Sequence, residues 1–376
     1  MRITSIIASS ACSIVVVLAQ GFDISAALAV SIPTANLGPA LTEVIPATVT
    51  YDQAAATALV ASSISSPGLR LQKRISCKAK PGGAGPVPGI RGTVNDYYYS
   101  ESALRRSARD AGTPPGYEKV FTDLIAANEQ IGYLGFKINP RGEYDVSWCA
   151  DWCDSESFCL GFNIYFQRDP EMDPRCDWSG VVTNVKCVIY GYPVAEGSAT
   201  NKGQFFGDFA VVITGSNGYS KVEEAACKTR RPSIGGFGIP QYLVGAISAP
   251  VQRNGTNTAT GLESYNGMKL FNQNPYDPFL CAAACQAQTE FHKTHLGNAN
   301  GKYRPCNYFN SFILTKNAIP LGTYCSLYAE SRPVTDATNF GVIHEKDRYD
   351  VLCSAGYTAT PINSGNSHGN NSSLVH

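Results

Sequence analysis

Apolar residues along this chain follow two rhythms. Between Trp148 and Ser155, Cys149 and Cys153 stand four positions apart, so on a helix they share one face and point at a common partner surface. Three runs are short, rich in β-branched and aromatic residues, and bounded by Gly, Pro, Asp or Asn: Leu160 to Phe166, Lys186 to Gly191 and Phe209 to Thr214. These read as strands. The pattern predicts an α+β fold in which one helix packs on a small antiparallel sheet.

The same pattern occurs twice. Tyr133-Leu134-Gly135-Phe136-Lys137 matches Tyr265-Asn266-Gly267-Met268-Lys269, and Tyr144-Asp145 matches Tyr276-Asp277 in step. Cys149-Ala150-x-x-Cys153 then matches Cys281-Ala282-x-x-Cys285, and Cys159-x-x-Phe162-Asn163 matches Cys306-x-x-Phe309-Asn310. Further on, Cys187-x-x-Tyr190 pairs with Cys325-x-x-Tyr328, Ala199-Thr200-Asn201 with Ala337-Thr338-Asn339, and Gly218-Tyr219 with Gly356-Tyr357. Self-similarity of this kind predicts two copies of one module, residues 118–227 and 258–357. The copies differ in length between Cys153 and Cys159 against Cys285 and Cys306, and between Cys159 and Cys187 against Cys306 and Cys325. Both sites are expected to be surface connections, where insertions cost little. Residues 228–257 are Gly/Pro-rich and are expected to form a linker, and 358–376 a disordered tail.

The first residues carry Arg2, an apolar run up to Leu18 and Val17-Leu18-Ala19 as a small-x-small cleavage site, so residues 1–19 read as a signal peptide. Ser5, Ser9, Ser10 and Ser13 interrupt the run, which is too short to span a membrane, and no later segment qualifies. Residues 20–74 are Ala/Val/Ser/Thr-rich, lack cysteine and end in the dibasic pair Lys73-Arg74, which predicts a pro-segment cut before function. Residues 75–117 then form an amino-terminal arm. The expected location is secreted, extracellular or associated with a cell wall.

Cysteine count and charge sharpen this picture. Of 13 cysteines Cys12 lies in the signal peptide, leaving an even number in the mature chain, which for an exported protein predicts a disulfide framework. Modules this small have marginal cores, and each bridge contributes about 2–4 kcal/mol by restricting the unfolded chain. Asn254, Asn370 and Asn371 open glycosylation triplets. With 30 basic and 30 acidic residues there is no basic field to gather phosphates, which speaks against nucleic acid as a partner.

A helix with Cys-x-x-x-Cys, a Cys beside an aromatic-Asn strand and a Cys in the following hairpin strand together resemble the PAN/apple module. Phe162 to Pro170 and Gly215-Ser216-Asn217-Gly218-Tyr219 are also similar to strings in a group of fungal secreted proteins, some labelled fruit-body-specific. The resemblance covers roughly residues 118 to 357. It implies the bridges Cys149–Cys187, Cys153–Cys159, Cys281–Cys325 and Cys285–Cys306. Cys77, Cys176, Cys227 and Cys353 have no counterpart in the other copy, Cys353 aligning with Gly215; they could tie the arm to the first module and the modules to each other.

Candidate chemistry is sparse. His292 and His295 sit in the length expansion of the second copy without nearby cysteine or carboxylate, His344 follows a turn, and His368 and His376 lie in the tail, so no metal site is expected. Asp169, Glu171, Asp173 and Asp177 cluster without EF-hand spacing and read as a solvated loop. No nucleophile elbow, phosphate loop or supported carboxylate pair is present, so neither an enzyme nor a cofactor is expected.

Aromatic residues offer the better lead. Trp152 corresponds to Ala284 in the second copy, which suggests a ring not needed by the core, and Trp178 lies in a neighbouring loop. Such rings stack on sugar faces or anchor protein contacts. Tyr97, Tyr98 and Tyr99 in the arm make a second candidate patch, or simply a strand. The expected function is non-catalytic binding of an extracellular or cell-wall glycan or protein through the first module. The alternatives are a self-associating structural matrix protein and an uncharacterised secreted hydrolase.

Overall fold

In the computed structural model, residues 19–20, 23–31, 33, 37–40, 45–62, 77–80, 82–173, 176, 180–222, 226–227, 231–250 and 264–366 are described. The signal peptide up to residue 18, Lys73, Arg74, Trp178, Asn254, Asn370 and Asn371 lie outside them.

In chain order the leading elements are β1 (Ala19–Gln20), α1 (Ile24–Leu28), β2 (Ala47–Thr48), α2 (Gln53–Ser62), α3 (Val94–Tyr98) and α4 (Ala103–Asp110). The first repeat follows with β3 (Tyr117–Leu124), β4 (Tyr133–Ile138), α5 (Val146–Ser155), β5 (Gly161–Pro170), β6 (Val181–Tyr190), β7 (Gly203–Phe206) and β8 (Phe209–Lys221). Then come β9 (Gln241–Tyr242) and β10 (Ala249–Pro250), and the second repeat contains β11 (Tyr265–Phe271), α6 (Pro278–His295), β12 (Tyr308–Lys316), β13 (Ile319–Tyr328), β14 (Gly341–His344) and β15 (Asp347–Thr358).

The fold is α+β with antiparallel sheets. One sheet runs β2-β4-β6-β5-β8-β3 with β7 on β8, a second runs β11-β13-β12-β15-β14 with β9 on β15, and β1 pairs with β10 apart from both. Shared sequence positions take shared registers. Asn163 stands opposite Val188 and Gly218, and Asn310 opposite Ser326 and Gly356. The central strands alternate little between buried and exposed because both their faces are covered: β5 and β12 are buried at nearly every residue.

Each long helix starts on an aspartate. Asp145 Oδ1 accepts from the Trp148 N–H at 3.1 Å, and Asp277 Oδ1 from the Phe279 N–H at 3.0 Å, satisfying donors the helix leaves without a partner. The inner face of α5 carries Cys149, Ala150, Trp152 and Cys153; that of α6 carries Cys281, Ala282, Ala284 and Cys285.

Six bridges staple the chain: Cys149–Cys187, Cys153–Cys159, Cys281–Cys325, Cys285–Cys306, Cys77–Cys176 and Cys227–Cys353. The first four coincide with the pairs implied by the module resemblance. Of the other two, Cys77–Cys176 ties the arm to the first repeat, and Cys227–Cys353 ties the end of the first repeat to the last strand of the second.

Four stretches differ from expectation. The longer interval in the second copy is not only a connection: α6 has 18 residues against 10 in α5, and His292 closes the added helix by hydrogen bonds to the Arg304 carbonyl at 2.7 Å and Gln288 at 2.6 Å. Part of the expected linker belongs to the second sheet. Gln241 and Tyr242 pair with β15, and Leu243, Ala246 and Ile247 are buried. Ala246 bridges Asn339 just as Ala127 bridges Asn201. Residues 358–366 of the expected tail pack on the second repeat, with Asn363 exchanging hydrogen bonds with Asn307 and Asn366 bridging Lys302. Finally, the expected pro-segment packs on both sheets: Ile24 and Ala27 sit in a core with Phe312, Leu314 and Tyr324, and β2 extends the first sheet.

Candidate functional site: a cleft on the first repeat

The two repeats dock head to tail. The second presents Tyr276, Ile313 and Cys353 to Ile131, Leu160 and Tyr192 of the first, forming one buried cluster. Polar contacts fix the joint: the Tyr276 N–H donates to the Gly191 carbonyl at 3.1 Å, and the Tyr192 hydroxyl lies 3.1 Å from Thr323 Oγ1.

On the first repeat the matching face holds Tyr144, Phe166 and Gly215. Here the arm covers it. Leu104 and Ala108 of α4 pack there, with Ala108 against Gly215. Helix α4 starts on Ser102, whose hydroxyl accepts from the Arg105 N–H. It is clamped by Arg105 Nε and Arg109 Nη1 on the two oxygens of the buried Asp123, at 2.9 and 2.8 Å. The arm covers this face incompletely. A shallow cleft, largely open to solvent, remains between residues 84–86, α4 and the turn at 141–144.

Half-buried Tyr144 faces the cleft, Phe166, only 2 % exposed, backs it from the core, and the rim is charged. Tyr144 and Phe166 stack with ring centroids 4.8 Å apart and planes at 29°. Tyr144 is anchored from behind, its hydroxyl set against the Ile164 and Gly215 carbonyls at 3.0 and 2.6 Å. Burial, then the neighbouring Tyr219 and Asp123, push that phenol well above its ordinary range, so it stays neutral. Arg141, Glu143, Asp110 and Ser107 form the rim. Arg141 reaches Glu143 at 3.1 Å and Asp145 at 3.4 Å, and these exposed pairs leave hydrogen-bonding capacity facing solvent. An apolar floor with a few convergent polar groups is the ordinary build of a small-ligand site.

Trp152 and Tyr97 to Tyr99 fall elsewhere. Trp152 is not a surface platform: it is 5 % exposed, packs in the core of the first repeat, donates to Glu156 at 3.2 Å and lies under Lys137 Nζ at 4.4 Å from the ring centre. Its size is needed because nothing else fills that space. In the second repeat Ala284 leaves it free and α2 lies along α6. Tyr97 to Tyr99 are not one patch either. They lie at the end of α3, which turns Tyr97 wholly inward to bond Thr183, leaves Tyr98 half-buried and exposes Tyr99.

Asp169 is fully buried, its oxygens accepting from Gln167 at 2.8 Å and Asn184 at 2.7 Å, so it is not part of a solvated acidic loop. Among the described residues no group of three or more His, Cys, Asp or Glu is arranged to hold a metal ion. Likewise no described helix is long and apolar enough to cross a membrane.

Sequence reasoning missed the cleft because Arg141 and Glu143 belong to no motif. One signal was available: Tyr144 recurs as Tyr276 while the residues beside it, Arg141 and Glu143, become Gln273 and Pro275. Comparison with known families, curated proteins and solved structures gives no match for this chain.

Proposed function

We propose that this chain is an exported tandem of two PAN/apple-like modules that binds an extracellular or cell-wall glycan, non-catalytically, in the cleft of the first module. The observation that carries the reading is the half-buried Tyr144, backed by Phe166 and ringed by Arg141, Glu143, Asp110 and Ser107. A sugar ring offers an apolar face to such a tyrosine and hydroxyls to such a rim.

Self-association is the second reading, favoured by the exposed Phe340, Val342 and Ile343 at and beside edge strand β14. Growth by repeating the internal head-to-tail joint has less support. The outer face of the second repeat carries Asn307 and Glu330 where the first carries Leu160 and Tyr192, and Asn363 covers Asn307. Polar outer faces of this kind end repeat stacks.

Glycan-array and wall-polysaccharide binding, measured with the wild-type protein and an R141A/E143Q variant, test the proposal. Glycan retained by the wild type and lost in the variant is the expected result. Equal retention by both would move the site elsewhere. No retained glycan, together with concentration-dependent assembly in sedimentation, would replace this reading by the second.

A further inference from the structure

Residues 47–53 lie across the junction of the two repeats in the manner of a bound peptide. Ala47 and Thr48 add an antiparallel strand to the edge of β4, opposite Phe136 and Gly135, and the Val49 N–H donates to the Leu134 carbonyl at 2.7 Å. The side chains of Ala47, Thr48 and Val49 are exposed, so this part of the contact is made by backbone and tolerates other sequences.

Selectivity enters two residues later. Tyr51 turns its ring edge-on to Phe158 of the first repeat, with centroids 4.8 Å apart, and donates its hydroxyl to Asp277 Oδ2 of the second at 2.8 Å. Gln53 Nε2 donates to the same oxygen at 2.9 Å. Asp277 is 1 % exposed; its other oxygen caps α6, so Oδ2 is a buried acceptor aimed at whatever occupies the groove. Beside the segment a cavity of about 590 Å³ stays open, next to the small side chains of Ala55 and Ala56.

The edge is built for this approach. At Gly135 a Cβ would come within 2.4 Å of the Ala47 carbonyl oxygen, whereas at the corresponding Gly267 it would meet nothing within 4 Å. None of the six bridges reaches the segment, since they join cysteines from Cys77 onward.

We infer that the β4 edge, Phe158 and Asp277 form a peptide-binding groove for an extended polypeptide carrying a tyrosine and, two residues on, an amide side chain. The chain's own residues 47–53 are its tethered occupant. A tether supplies an effective concentration of about millimolar, enough to exclude a competing peptide from the intact chain. A cut anywhere between Ser62 and Cys77 removes that advantage. The groove is separate from the glycan cleft and stands or falls independently of it.

The test compares the intact chain with a chain nicked at Lys73-Arg74, checked by mass. The probe is a fluorescent peptide of residues 45–62, read by anisotropy. The nicked chain is expected to bind the peptide at least about tenfold more tightly than the intact chain. A peptide carrying Tyr51→Phe is expected to bind about tenfold more weakly, as for loss of a hydrogen bond to a charged group. If the cut segment instead stays bound through gel filtration, held also by Ile24, Ala27 and α2, its retention is compared with that of a nicked Tyr51→Phe chain, and equal retention overturns the inference. No binding to a nicked chain that has shed its segment, or equal binding of the native and Tyr51→Phe peptides, would overturn the inference. Glycan retention measured on the same nicked sample shows which of the two sites has failed.

Discussion

Cys353 occupies in the second repeat the left-handed backbone position that Gly215 occupies in the first, with φ of 54° and 58° at the bulge of the last long strand. Glycine adopts this conformation freely, whereas a residue with a Cβ is strained there by on the order of 1 kcal/mol. The strain is tolerated because Cys353 bridges to Cys227 across 126 residues and so locks the two repeats together. Closing a loop of that length stabilises the fold by about 5 kcal/mol in the chain-entropy view.

Removing this bridge should therefore cost different amounts depending on what replaces Cys353. The pair C227S/C353S is expected to lose about 4–5 kcal/mol, and C227S/C353G about 1 kcal/mol less, because glycine relieves the backbone. Urea unfolding of both variants measures the difference. Equal midpoints would show that the bulge is not strained.

Trp152 should behave as a core residue and not as a ligand contact. Truncation to alanine leaves a cavity beneath Lys137 and is expected to cost about 3–5 kcal/mol, the usual range for a buried tryptophan. Glycan affinity per folded molecule should not change. A W152A protein of wild-type stability that no longer retains glycan would return this ring to the surface.

What the sequence made legible was whatever both copies must keep. The Cys-x-x-x-Cys helix, the Phe-Asn strand and the hairpin cysteine recur because one helix is stapled to one sheet in each repeat. Single-copy features were harder to read. Strand β9 has only two residues, both exposed, and lies in a Gly/Pro-rich stretch, so periodicity could not reveal it; its pairing with Ala355 and Gly356 does. Residues 47–62 looked like low-complexity leader because their alanines carry little pattern, yet small side chains suit a helix lying close along α6. The substitution of Ala284 for Trp152 was visible but pointed the wrong way, since the missing volume lies where α2 covers α6.

Alkaline pH should unfold the protein through its buried tyrosines. Burial is the main cause that pushes the Tyr97 and Tyr219 phenols up from 10 to about 12, and several other buried tyrosines are pushed further. Above pH 10 the unfolded chain releases these protons while the folded chain still holds them. The folded state then binds more protons, so stability falls as pH rises from 10 to about 12. Phenolate absorbance and loss of near-ultraviolet dichroism should appear together in that window. Ionisation of all the tyrosines with the dichroism intact would contradict the buried assignments.

Asn163 and Asn310 should prove equally costly to remove, because each performs the same task in its own repeat. Asn163 accepts from the Asn128 N–H at 2.9 Å and donates to Ser216 Oγ and the Asn217 carbonyl, both at 2.8 Å. Asn310 accepts from the Ile247 N–H at 2.9 Å and donates to Ser354 Oγ at 2.8 Å and the Ala355 carbonyl at 3.1 Å. Both side chains are fully buried, so an alanine strands one backbone donor and two acceptors away from water. A penalty of about 1–3 kcal/mol for each stranded group, partly relieved by relaxation, predicts a loss of about 3 kcal/mol per substitution. Because the two sites share no partner, the double variant should lose the sum within about 0.5 kcal/mol. Denaturant unfolding of both single variants and the double variant measures these values. A loss at Asn163 with none at Asn310 would mean that Ile247 is not held in the second repeat as Asn128 is in the first.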